Sequence, residues 1–163
     1  VDDLTKLEAE GPFDLILSVD VMEHIEDDEA VFRNFKRVLA PGGVLIINTP
    51  SDKGGSDTSG AKSEGFISEH VRDGYSTDEL AWKLSMAGLE VTRSIYTYGP
   101  AGRLAWRLLV KFPMMLLGRS KLCMVLLPFF YLVFLLPGLL LNLADMVRHN
   151  PSGTGLLVIA EHR

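Results

Sequence analysis

Cysteine is nearly absent from this sequence. Its one cysteine, Cys123, lies inside an apolar run, so no intrachain disulfide can form and a reducing compartment is expected. Positive charge is scarce in residues 1–98, where 9 Lys and Arg face 19 Asp and Glu; a body this acidic argues against nucleic acid as the main partner. Acidic residues are scarce in turn over residues 99–163, with 2 against 7 Lys and Arg, a balance suited to a membrane-facing part because anionic lipid attracts Lys and Arg. No signal peptide is read in Val1 to Glu10, which is acidic and has no apolar core. No internal repeat is apparent. With 47% apolar and 23% charged residues, the 163-residue chain has the make-up of one globular domain, not of a disordered one.

Against these absences stands a run of ordered signals. Phe13 to Val19 is a short apolar segment ending at Ser18 and Asp20, and it reads as a strand buried on both faces. Asp27 or Asp28 can cap a helix whose apolar positions are Val31, Phe32, Phe35, Val38 and Leu39. Pro41-Gly42-Gly43 is expected to end it, and Val44 to Asn48 reads as a second buried strand, parallel to the first. Ser51 to Gly65 is polar and rich in glycine and serine, a surface loop or a lid. Ser76-Thr77-Asp78-Glu79 is a capping box opening a helix covered by Leu80, Trp82, Leu84 and Met86 and stopped at Gly88. Strands are expected at Leu89 to Tyr98 and at Gly155 to Ala160.

Between those last strands, Leu122 to Ala144 holds 23 residues without a charge, ten of them leucine. That length suffices to cross a bilayer, and ten leucines favour insertion by about 5 kcal/mol before polar groups are counted. Pro128 and Pro137-Gly138 interrupt the run. Just upstream, Arg103, Arg107 and Lys111 recur every four residues beside Trp106, the pattern of an interfacial helix. If the flanking strands are neighbours in one sheet, both ends of the insertion lie on one side of any membrane. A single crossing is then excluded. A hairpin broken at the prolines, two short crossings, or an in-plane wedge remain, with the hairpin or wedge favoured. A helix pair buried against protein is one alternative, and a transmembrane anchor with the last strand misread is the other.

The ordered set Phe13-Asp-Leu-Ile16, Glu23-His24-Ile25, Leu39-Ala-Pro-Gly-Gly43, Asn48-Thr-Pro50, His70-Val-Arg72, Gly74-Tyr-Ser-Thr77 and Ala87-Gly-Leu-Glu-Val91 resembles the class I S-adenosylmethionine-dependent methyltransferases, in particular the quinone-biosynthesis O-methyltransferases. The resemblance implies an α/β fold: the later part of a doubly wound Rossmann-like sheet, with a long apolar helical insertion before the last strand. Residues 1–98 and 151–163 would belong to the methyltransferase domain and residues 99–150 to the insertion. It also implies S-adenosylmethionine as cofactor, with Asp2 or Asp3 near the adenine amino group, Leu4 beside the ring, and Ser18, Val19 and Asp20 along the ribose and methionine. Glu23 and His24 would sit beside the reacting methyl. Some members are thought to hold a divalent ion at the positions of Asp20, Glu23 and His24. One imidazole in that set weakens the case for a hard ion, so no metal site is assigned.

Methyl transfer from a sulfonium is a direct displacement, so alignment supplies much of its acceleration. A hydroxyl acceptor gains from a base, and histidine is suited to that near neutral pH. His24 and His70 are the candidates, with Tyr75 as an orienting group. The acceptor is expected to be a small molecule, lipid-soluble or lipid-linked, with residues 103–146 holding a cytoplasmic enzyme at the membrane surface. A soluble sugar or amine, with the insertion used for dimerisation, is the rival, as is a non-catalytic membrane-tethered relative. The family's glycine-rich cofactor loop and the acidic residue that grips the ribose are absent from these 163 residues. The chain by itself is therefore expected to bind the cofactor weakly.

Overall fold

The structure, a computed structural model, describes residues 3–53 and 71–163. Asp2, His70 and most of the expected loop or lid lie outside the described residues. By its packing the chain divides into two units: residues 1–96 with 154–163, and residues 97–153.

The first unit is built on a four-stranded sheet of order β1-β2-β4-β3. Strand β1 is Phe13–Val19, β2 is Leu39–Pro50, β3 is Glu90–Thr97 and β4 is Gly155–Glu161. β1 and β2 run parallel, with Val19 opposite Asn48, and β4 lies antiparallel to β2. Helix α1 (Asp28–Val38) carries the chain from β1 to β2, and α2 (Thr77–Met86) precedes β3. The apolar stripes of the helices meet the alternating residues of the strands in one core, where Phe32, Phe35, Leu45, Ile47, Leu80, Leu84, Leu156 and Val158 are all buried.

Three local details differ from the periodicity. Helix α1 stops at Val38, before Pro41, because proline disfavours the helical region for Ala40 and Leu39 is already extended. Strand β2 therefore takes in the Pro-Gly-Gly segment as a bulge: Phe13 pairs with Leu39, Leu15 pairs with Val44, and Gly42 adopts φ 79°. In α2, Leu80 and Leu84 are buried, whereas Trp82 and Met86 are 57% and 70% exposed, since at about 100° per residue they lie on the far side of the helix. β1 is likewise not covered on both faces, for Phe13, Leu15, Leu17 and Val19 are exposed and no described helix of this unit packs on them.

The caps follow the sequence closely. Asp27 accepts a hydrogen bond from the Ala30 N–H, and Ser76 accepts one from Glu79 N–H. The Glu79 carboxylate pairs with Lys83 at 3.4 Å. α2 closes in a Schellman turn: Leu89 N–H donates to Leu84 O, Gly88 N–H donates to Ser85 O, and Gly88 has φ 82°.

The second unit is a helical hairpin. α3 (Pro100–Trp106), a π turn (Arg107–Lys111) and α4 (Phe112–Arg119) run on as one rod. The chain reverses at Ser120, whose backbone is extended, and returns through a 3-10 segment into α5 (Leu127–Val147). The break expected at the prolines does not occur. Pro128 sits in the first turn of α5, where its missing N–H costs nothing, and α5 continues through Pro137. Pro113 leaves the Leu109 carbonyl without its usual helical donor, and the Tyr131 hydroxyl donates to that carbonyl at 2.8 Å. Gly138 is buried against Leu109, and Asp145 accepts from the Gly99 and Gly102 N–H groups at 3.3 and 3.0 Å, placing negative charge at the start of α3.

Replacing Leu84 by alanine should lower stability by about 2–5 kcal/mol, while Trp82→Ala should change it by less than about 0.5 kcal/mol. Urea denaturation of the full-length protein distinguishes the two; equal losses would contradict the packing of α2.

Candidate active site

The carboxyl ends of β1 and β2 lie side by side, the place where open α/β sheets bind ligands. At the end of β1 the chain turns sharply. Asp20 has φ 50°, a left-handed conformation that aspartate tolerates better than most residues, and its N–H donates to Asn48 O at 2.9 Å. A short 3-10 turn, Met22–His24, follows at once.

That turn separates two adjacent side chains. Glu23 points inward and is buried, with the Thr49 hydroxyl donating to its Oε2 at 3.2 Å. His24 points outward and is part-exposed, its Nε2 at 4.0 Å from Glu23 Oε1. An imidazole open to an acceptor, backed by a buried carboxylate, can take a proton and have the resulting charge stabilised. Among the described residues no group of three or more His, Cys, Asp or Glu is placed to hold a metal ion.

Beside the turn lies a groove of about 240 Å³, lined by Leu4, Leu7, Ile16, Leu17, Ser18 and Val21 among others. Ser18 is the polar member of an otherwise apolar lining, and its buried hydroxyl has no partner among the described residues. Leu4 and Ser18 thus share one groove, whereas Val19 and Asp20 are exposed at the strand end. Asp3 caps the Leu4–Lys6 turn: its carboxylate accepts from Thr5 N–H and Thr5 Oγ1, and these bonds hold its pKa below the ordinary carboxylate value. Asn34 and Arg37 of α1 donate to the carbonyls of Leu4, Thr5 and Leu7, which pins this N-terminal segment on the helix.

Tyr75 is wholly buried. Its hydroxyl lies 2.6 Å from Asp28 Oδ2 and 3.2 Å from the carbonyl of Met22, directly under the turn that carries Glu23 and His24. Burial, then the adjacent Asp28 carboxylate, push the phenol above its usual value of 10. Asp28 also receives Arg72 Nη1 at 2.6 Å and Lys83 Nζ at 2.7 Å. Arg72 reaches further, donating to the carbonyls of Ile25 and Glu26, while Val71 N–H donates to Glu23 O. From the sequence, Asp28 has only a capping role and Arg72 and Lys83 have none. Their signal is faint, since a second aspartate at a helix start looks like an ordinary cap.

A mixed Rossmann-like sheet whose strand ends carry this turn defines the class I methyltransferase architecture. The chain belongs to the methyltransferase-domain family, whose model matches residues 2–94. It is 43% identical over 42 residues to a ubiquinone biosynthesis O-methyltransferase of Caulobacter sp. (strain K31), covering 26% of this chain and 17% of that protein. It is 44% identical over 59 residues to phosphoethanolamine N-methyltransferase 1 of Triticum aestivum, covering 32% of this chain and 12% of that one. Among solved structures, phosphoethanolamine N-methyltransferase 2 of Haemonchus contortus in complex with S-adenosyl-L-methionine superposes with a TM-score of 0.55 at 20% identity, over 98% of this chain and 35% of that one. The chain spans well under two thirds of the length of these relatives.

Asp28→Asn should cost about 3–5 kcal/mol, because Arg72 and Lys83 would remain buried together without their carboxylate. Tyr75→Phe should cost about 1–3 kcal/mol by removing a buried hydrogen bond to the charged Asp28 carboxylate. A phenol raised in the folded state keeps its stabilisation below pH 10 and loses it as pH climbs above that. The native protein should lose up to about 1.4 kcal/mol per pH unit there beyond any loss in Tyr75→Phe. Thermal melts of both proteins at several pH values above 10 provide the check.

Proposed function

We propose that the full-length protein transfers a methyl group from S-adenosylmethionine to an acceptor oxygen on a lipid-soluble or lipid-linked molecule, on the cytoplasmic side of a membrane. Family membership over residues 2–94 supports the chemistry, and the half-exposed His24 over buried Glu23 at the strand ends is the observation that carries it. The ubiquinone relative favours oxygen as the acceptor atom. The wheat relative, an N-methyltransferase, makes an amine the second reading.

The groove fits part of the cofactor. Leu4, Leu7 and Val21 offer apolar faces to a flat ring, and the Ser18 hydroxyl, without a partner among the described residues, offers one hydrogen bond. Ser18, Val19 and Asp20 would hold it. S-adenosylmethionine supplies, when bound, an electrophilic methyl on a sulfonium. His24 would take the proton from the acceptor hydroxyl, and Glu23 would stabilise the resulting imidazolium. Tyr75 acts from beneath, as a positioning residue for the turn.

His24→Ala in the full-length protein should lower kcat by about 100-fold or more, the usual contribution of a general base, with the cofactor Kd nearly unchanged. Turnover assays with calorimetric cofactor titration read both quantities. Small and equal changes in the two would remove His24 from the chemistry.

A further inference from the structure

Among the described residues, the hairpin of residues 97–153 carries an exposed surface of one kind. Around α5, Leu132, Val133, Phe134, Leu135, Leu136, Leu139, Leu140 and Leu143 are all exposed, on every side that α3 leaves open. A helix apolar all round belongs in a protein core or in hydrocarbon, and almost nothing of Cys123–Val147 is buried. The rod α3–α4 is different. Gly102, Ala105, Leu109 and Pro113 recur at helical spacing; three of them are buried and Leu109 meets Gly138 of α5. Arg103 and Arg107 lie about 100–140° round the helix from Gly102, with Lys111 one further turn along. The unit holds six Lys and Arg against one acidic residue, and that residue, Asp145, is bonded to the start of α3.

Connectivity limits how this unit can meet a bilayer. β3 and β4 are neighbours in the sheet and Thr97 abuts Gly153, so the hairpin leaves and returns at one point. A spanning hairpin would place Lys111, about 16 Å along the rod from Pro100, near the bilayer centre, and would carry the basic Arg119–Lys121 turn across. A flat hairpin leaves every one of these cations at headgroup level.

We propose that residues 97–153 form a two-helix wedge lying flat in one leaflet of an anionic membrane, with α5 among the acyl chains and the Arg103, Arg107 and Lys111 face among the lipid phosphates. This deepens the membrane siting proposed above and rests on it. The prolines then have a place: α5 is a continuous rod despite Pro137, so it can lie lengthwise in the leaflet without dipping through it.

The test uses the full-length protein floated with vesicles of phosphatidylcholine, with and without phosphatidylserine. At roughly fivefold per cation, the triple variant R103Q/R107Q/K111Q should bind the anionic vesicles about a hundredfold more weakly and the neutral ones as before. Unchanged binding of that variant to anionic vesicles overturns the headgroup contact. In a Cys123→Ser background, Ser120→Cys and Asp52→Cys should both react with a membrane-impermeant maleimide in inside-out vesicles from the expressing cell. Protection of Ser120→Cys until detergent is added overturns the flat wedge in favour of a span. A protein that stays soluble as a dimer without lipid overturns it in favour of a protein interface. Cofactor titration on the same samples keeps these failures distinct from a failure of the methyltransferase reading, which would appear as lost cofactor binding.

Discussion

The buried carboxylate of Asp28 ties together most of what surrounds the strand ends. It stands at the first residue of α1, yet its partners come from the segment before α2, from α2 itself and from the buried tyrosine between them. Two cations around one carboxylate in a nearly dry site are tolerable because Arg72 also donates to two backbone carbonyls and Lys83 also pairs with Glu79. Through Tyr75 and Arg72 the cluster reaches the turn of Glu23 and His24 from below. The side chains suited to chemistry are therefore held by a network that itself faces away from solvent.

The positions at the strand ends follow from that arrangement. The left-handed backbone at Asp20 lets the chain leave β1 and turn at once, which sets Glu23 inward against Thr49 of β2 and His24 outward. Had β1 ended in a longer loop, the carboxylate and the imidazole would not be set on either side of one turn. The adjoining groove is shaped by a different set of bonds, those from Asn34 and Arg37 to the N-terminal segment.

Charge divides this chain as sharply as packing does. The sheet unit is strongly acidic and the hairpin basic, and the hairpin exposes many leucines and phenylalanines. Within the hairpin, one proline is harmless in a first helical turn, another frees a carbonyl that Tyr131 answers, and a third is absorbed in a continuing helix. Composition alone could not rank those outcomes, because each depends on what the partner helix offers to the broken hydrogen bond.

Local pattern was enough for much of the fold. The β1–α1–β2 unit, the Ser76 cap, the Gly88 stop and the last strand each answer to a short-range rule, and the family could be read from ordered motifs over residues 13–91. Exposure was less legible: Trp82 and Met86 are as apolar as Leu80 and Leu84, and only the helix's rotation against the sheet decides which pair is buried. The same holds for polar groups. Tyr75 reads from sequence as a group facing an acceptor, but its hydroxyl is enclosed beside Asp28, forty-seven residues away in the chain. Sequence by itself determined the elements, their caps and the chemical character of each segment, because those depend on neighbours within a few residues. Tertiary structure alone decided which titratable groups share a site and where the hairpin reverses, because those depend on contacts between residues far apart in the chain.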